Sequence, residues 1–159
     1  MLIYESEKFI VEAPEKPHVD RNDGGHIKIS PKTRILNRQK LTQSEAIELM
    51  RLTIVVGEAM TKIMNEDGVD VGRINYQDNG NWTVFKPEGS YLHIHLYGRA
   101  KSAKIQKYGQ ACFFPHRDEN PKYYDRFKPL DSKDVKGIHD EILRLLKQKK
   151  FSNSEWGLG

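Results

Sequence analysis

Two histidines separated by a single residue stand out as the groups best placed to do chemistry. They are His93 and His95, in the run Tyr91-Leu92-His93-Ile94-His95-Leu96-Tyr97. The run alternates apolar and polar as a strand buried on one face does. Residues two apart on a strand point to the same side, so Tyr91, His93, His95 and Tyr97 share one face. Leu92, Ile94 and Leu96 anchor the other face in a core. Three readings of the pair follow. The rings can face solvent or make satisfied hydrogen bonds and do nothing more. They can supply two neutral imidazoles to one metal ion, with His26 or Asp20 as the third ligand. Or one imidazole can attack phosphorus while its neighbour assists the leaving oxygen. A neutral imidazole is nucleophilic at physiological pH, and two successive displacements avoid direct attack of water on an anionic phosphate.

Composition narrows the chemistry around the pair. Cys112 is the one cysteine, which excludes an intramolecular disulfide and a cysteine-built zinc site. Beside Phe113 and Phe114 it reads as a small packed residue. Lys and Arg number 26 against 22 Asp and Glu, a net charge of +4 that favours anionic partners without choosing among them. No run approaches the ~18 apolar residues of a membrane span. The first twenty residues lack a basic start followed by an apolar block. A cytoplasmic protein with no membrane partner is therefore expected. Its 159 residues, 37% of them apolar, suit one domain with a real core. The basic stretch Arg99, Lys101, Lys104 and Lys107 is either a solvated face or a cationic lip for a polyphosphate tail or an RNA end; nucleic acid is not favoured as partner.

The elements that must position the pair can be read on either side of it. Lys8-Phe9-Ile10-Val11 is a short strand stopped by Pro14 and Pro17, and Asp20 to Gly25 form a turn. In His26-Ile27-Lys28-Ile29-Ser30, Ile27 and Ile29 share one strand face, while His26, Lys28 and Ser30 share the other. Thr42 and Glu45 have capping-box spacing and open a long helix with a wide apolar face that includes Ile47, Met50 and Ile54, ending near Gly68. Val69 to Asn75 and Trp82 to Phe85 are further strand candidates, separated by a turn-rich loop. Residues 99–130 are basic and aromatic without a clear period. A last helix starts near Asp131 with Val135, Ile138, Ile142, Leu145 and Leu146 on one stripe. The order implies an α+β fold with a mostly antiparallel sheet and a long helix packed on it.

The residues around the pair resemble the histidine-triad (HIT) superfamily. Its motif is His-φ-His-φ-His-φ-φ, with φ apolar, and Tyr91 to Tyr97 followed by Gly98-Arg99 is similar to it with Tyr91 in the first slot. Gly25-His26-Ile27-Lys28-Ile29-Ser30-Pro31-Lys32 is similar to a stretch those proteins carry before a long helix. A second register, with His93 first, His95 in the middle and Tyr97 third, is also open. The resemblance spans residues 8–100 and leaves 100–159 as a C-terminal helical extension. The domain reading is a HIT-like unit over 1–130, a helix over 131–150 packed on it, and a flexible tail over 151–159.

The resemblance implies a nucleotide hydrolase or nucleotidyl transferase acting at the α-phosphate, for example on dinucleoside polyphosphates or nucleoside phosphoramidates. His93 would form a covalent nucleotidyl-histidine and His95 would assist the leaving group. His26 and Tyr91 would support them, the phenol of Tyr91 reducing or altering activity relative to a third histidine. Asn75, Ser90 and Arg99 would contact nucleotide, with no metal or other cofactor needed. A ribose-binding carboxylate is expected upstream, but neither Asp20 nor Asp23 has the spacing for it. Two-fold dimers are common in the superfamily, so a homodimer is expected. The other readings are a nucleotide-binding module of the same fold that has lost catalysis, and a metal-dependent enzyme built on His93, His95 and His26.

Overall fold

Five strands and three helices carry the chain, in a computed structural model that describes residues 1–78, 83, 87 and 89–158. In chain order they are β1 (Leu2–Glu5), β2 (Phe9–Glu12), β3 (His26–Pro31), α1 (Gln43–Glu66), β4 (Val71–Asp78), β5 (Ile94–Ala100), α2 (Ser132–Leu146) and α3 (Asn153–Trp156). The strands form one antiparallel sheet in the order β1-β2-β3-β5-β4. Of the strand expected over Trp82 to Phe85 Thr83 alone is described, and the turn around Asn79 to Asn81 lies outside the described residues.

Alternation decides which side of the sheet carries the core. Phe9 and Val11 of β2, Ile27 and Ile29 of β3, and Leu96 of β5 are fully buried, and Ile94 nearly so. They join Leu52, Val55, Val56, Ala59, Met60 and Met64 of α1 in one cluster. The opposite face is left to the other alternate residues, among them His26, Lys28 and His95. The capping box that opens α1 is formed: Thr42 Oγ1 accepts from the Glu45 N–H, and the Glu45 carboxylate accepts from the Thr42 N–H. Only part of the expected apolar face of α1 is covered. Met50 is 57% exposed and Ile54 37%.

The histidine strand starts three residues later than the alternation suggests. Tyr91, Leu92 and His93 precede β5, because the Leu92 N–H donates to the Ile35 carbonyl (2.7 Å) instead of joining the ladder. At the other end β5 continues through Gly98 and Arg99. Gly98 and Gly24 lie back to back there: a Cβ on Gly24 would sit 2.3 Å from the Gly98 carbonyl oxygen, and Gly24 itself has φ +128°. This close approach sets the turn that leads into His26.

Residues 101–130 have almost no regular structure and are held by buried polar side chains instead. The Asp23 carboxylate accepts from the N–H groups of Lys104, Ile105 and Gln106 (2.7–2.8 Å), and Asp20 accepts from the Lys128 N–H (2.7 Å). The Gln106 amide both donates to and accepts from the backbone of Phe113. These bonds make Asp20 and Asp23 loop anchors.

At the C-terminus, α2 packs against α1 and β1 through Ile138, Ile142 and Leu145. Arg21 clasps the fully buried Asp134 with two hydrogen bonds of 2.7 Å. The frayed tail expected from residue 151 is corrected here. Phe151 is fully buried within a 3-10 turn (Lys149–Phe151), and α3 follows, with the Trp156 indole donating to the Lys150 carbonyl. Among the described residues no helix is long and apolar enough to cross a membrane.

Candidate functional site

Strand register builds the site on the polar face of the sheet. His95 lies opposite Lys28 on β3 and Gln77 on β4, and Lys28 lies opposite Glu12 on β2. One step along, Tyr97 lies between His26 and Asn75. The expected common face of Tyr91, His93, His95 and Tyr97 is present as a ladder of rings. Centroids are 4.9 Å apart for Tyr91–His93, 4.7 Å for His93–His95 and 5.4 Å for His95–Tyr97.

Hydrogen bonds assign the protons of the three central rings. His26 Nδ1 accepts from the backbone N–H of His18 (3.2 Å), so in the neutral ring the proton sits on Nε2. His26 Nε2 faces His95 Nδ1 at 2.8 Å and must be the donor there. That leaves the His95 proton on Nε2. His93 Nδ1 lies 3.0 Å from the Tyr91 carbonyl, an acceptor only, so it carries the proton and the lone pair stays on Nε2. One histidine thus presents a nucleophilic nitrogen and its neighbour an N–H donor. It is the carbonyl of Tyr91, present whatever side chain stands there, that orients His93.

Burial keeps these rings neutral. Desolvation lowers His93 below the usual histidine range, and lowers His95 to about 2 with further repulsion from His93, His18 and Lys28. His26 is held well below the ordinary value by its burial, then by His95 and His18.

His18 also belongs to the cluster, though its sequence context did not single it out. Its ring is 5.0 Å from His26 and 5.3 Å from His95, and its Nδ1 is 2.9 Å from the Tyr97 hydroxyl. Phe114 and Tyr124, from the loop pinned by Asp20 and Asp23, approach it to 5.5 Å each. Burial lowers His18 to about 4, aided by Arg117 and His93. His18 sits in an irregular stretch after Pro17, so no period marks it. Lys28 carries a signal that could have been used, since it alternates in phase with His26.

The remaining candidates divide. Asn75 is half-buried on the histidine face, opposite Tyr97. Ser90 is half-buried and precedes Tyr91 in the segment that enters β5. Arg99 does not form a cationic lip. It is 4% exposed, and its guanidinium donates to the carbonyls of Gln106, Lys107 and Gln110. Lys101 is exposed beyond the far end of β5, about 26 Å along the extended chain from His93. Cys112 is half-buried with its thiol pushed up by burial, which suits packing and not nucleophilic attack.

Among the described residues, the histidine group with metal-like proximity is His18, His26 and His95, with ligand atoms within 4.8 Å of one another. His93, part of the expected metal set, is not in it. Two nitrogens on one zinc stand about 3.3 Å apart at Zn–N distances of about 2.0–2.1 Å. The 2.8 Å between His26 and His95 is instead a hydrogen bond that occupies both facing nitrogens. As arranged, the cluster does not fit a metal.

The sheet order and the long helix packed on it are those of solved histidine-triad structures, to which the chain is similar in fold. A hypothetical histidine triad nucleotide-binding protein from Sulfolobus tokodaii superposes with a TM-score of 0.59 at 18% identity, over 93% of this chain and 87% of that one. A zinc-bound histidine triad family protein from Mycobacterium smegmatis gives 0.56 at 17% identity, over 91% and 84%. A histidine triad protein from Bradyrhizobium japonicum gives 0.56 at 16%, over 91% and 88%. No family model and no curated protein matches the sequence. At such identities the likeness is one of fold. With 93% of the chain covered, it runs well beyond residue 100, where the sequence resemblance stops.

Proposed function

We propose that this chain is a nucleotide hydrolase or nucleotidyl transferase that works through a covalent nucleotidyl-His93. The observation that carries the reading is the opposed pair of tautomers, His93 with its lone pair on Nε2 and His95 with its proton on Nε2. The Nε2 lone pair of His93 attacks the α-phosphorus of a nucleoside phosphate derivative. The Nε2–P bond forms as the bond to the bridging atom breaks, and the leaving group takes the electron pair while His95 Nε2–H hydrogen-bonds to it. Nucleotidyl-His93 keeps its Nδ1 proton and is cationic. The Tyr91 carbonyl stabilises that charge, and the cationic imidazole is a good leaving group in turn. Water then attacks phosphorus, the P–N bond breaks, a proton passes to solvent, and the nucleoside monophosphate departs.

His26 acts through His95 as a positioning residue, and Asn75 and Ser90 are the proposed nucleotide contacts. The protein is proposed to work as a homodimer. Met50 and Ile54 of α1 and the half-exposed Tyr76 leave an apolar strip beside β4, whose outer edge has no strand partner among the described residues. The test of the activity is turnover of a panel of dinucleoside polyphosphates and nucleoside phosphoramidates with a chelator present. Release of nucleoside monophosphate, lost in His93→Ala, is the expected result. Nucleotide binding without turnover of any substrate would replace this reading with a binding module.

A further inference from the structure

Lys28 is a charged side chain at the heart of the histidine face, and the reaction above gives it no part. It lies directly across from His95, in a cross-strand row that runs Glu12, Lys28, His95, Gln77 over four strands. Its ammonium is 2.8 Å from the Glu12 carboxylate, with side chains 21% and 36% exposed. The pair is therefore partly dried and aimed at the same surface as the rings. Lys28 also adds to the repulsion that holds down His26, His93 and His95 alike.

The proton assignment limits what His95 can do for a leaving group. Its single proton is on Nε2, and its Nδ1 is filled by the proton of His26. It can donate a hydrogen bond, but giving that proton away would leave an imidazolate. An amine departing from phosphorus takes the electron pair of the P–N bond and needs a proton as it goes. A phosphate departing from a P–O–P bridge takes the pair onto oxygen and leaves as a stable anion, needing charge neutralisation and no proton. A cation beside His95 supplies the second requirement and works against the first.

Resting on the nucleotidyl-histidine reading, we propose that Lys28 is the specificity-determining residue that binds the departing group, and that this group leaves as an anionic phosphate or phosphate chain. Glu12 holds the ammonium in place across the strands until the anion arrives. The cation then contacts the substrate on the side of phosphorus opposite to His93 attack, where negative charge accumulates.

The test compares two substrates that share one nucleotide, a dinucleoside polyphosphate and a nucleoside phosphoramidate. In Lys28→Gln the ratio of their kcat/KM values, polyphosphate over phosphoramidate, is expected to fall about tenfold, the scale of one lost charge-assisted contact. Lys28→Arg restores most of it. Equal losses on both substrates, or no loss on either, overturn the proposal. A binding arm separates this outcome from failure of the covalent mechanism. In a His93→Ala background, the affinity ratio for nucleoside triphosphate over monophosphate is measured by calorimetry with Lys28 and with Lys28→Gln. A fall of about tenfold supports the role of Lys28 even where no substrate turns over, and an unchanged ratio overturns it.

Discussion

His26 and His95 meet nitrogen to nitrogen at 2.8 Å across β3 and β5, and the hydrogen bond they share leaves the His95 proton on Nε2. The backbone N–H of His18 anchors the chain of bonds at its far end. Removing the His26 donor leaves His95 free to take either tautomer. His26→Ala is therefore expected to lower kcat by about a hundredfold while KM changes little, because ground-state nucleotide contacts remain. His26→Gln, whose amide N–H can still donate, recovers part of the rate. Steady-state kinetics of both variants checks this; an effect on KM alone would contradict it.

Tyr91 holds His93 by its main chain, not its phenol. Tyr91→Phe and Tyr91→His are both expected to keep kcat/KM within about threefold of the parent, since the ring packing 4.9 Å from His93 and the carbonyl survive in each. That differs from the rate gain on Tyr91→His expected if the first slot needs an imidazole side chain. Parallel kinetics of the two variants decides between them.

Stability should respond to acid through the same buried rings. His18 is lowered to about 4, His95 to about 2 and His26 well below its ordinary value, so the unfolded chain binds more protons than the folded one once pH drops below about 6.5. Unfolding free energy is thus fully present above that pH. It falls as pH drops from 6.5 towards 4, with a slope of up to about 1.4 kcal/mol per pH unit for each ring held neutral. Glu141, lowered to about 2 by Arg144 chiefly, acts in the same direction only below its ordinary range. Denaturant titrations at pH 7 and pH 5 check this, and equal stability at the two would contradict it.

Ile54 is 37% exposed between Met50 and the β4 edge. Ile54→Asp places a charge in the proposed dimer strip and should shift the protein from dimer to monomer in sedimentation velocity, with the circular dichroism of the folded chain kept. A parent protein that is already monomeric would contradict the assembly.

How much of this was legible in the sequence depends on whether a residue obeys a local period. Alternation around His93 and His95, the spacing of Thr42 and Glu45, and the phase of His26 with Ile27 and Ile29 each follow from backbone geometry, and the structure has them. The start of β5 was hidden because Ile35, far upstream, takes the Leu92 N–H. Arg99 reads as a surface cation until the loop that folds over it offers three carbonyls. Residues 101–130 were opaque because Asp20, Asp23 and Gln106 replace the ladder bonds that create periodic patterns. His18 joins the cluster only through contacts made in three dimensions.

The most direct test of the account is to trap the intermediate. The protein is mixed with a dinucleoside polyphosphate, quenched in base within a turnover, and weighed intact, then cleaved and sequenced by mass spectrometry. One nucleotidyl group per chain, acid-labile and localised to His93, is the predicted result, with none in His93→Ala. An adduct on His95, or one that persists in His93→Ala, would contradict it.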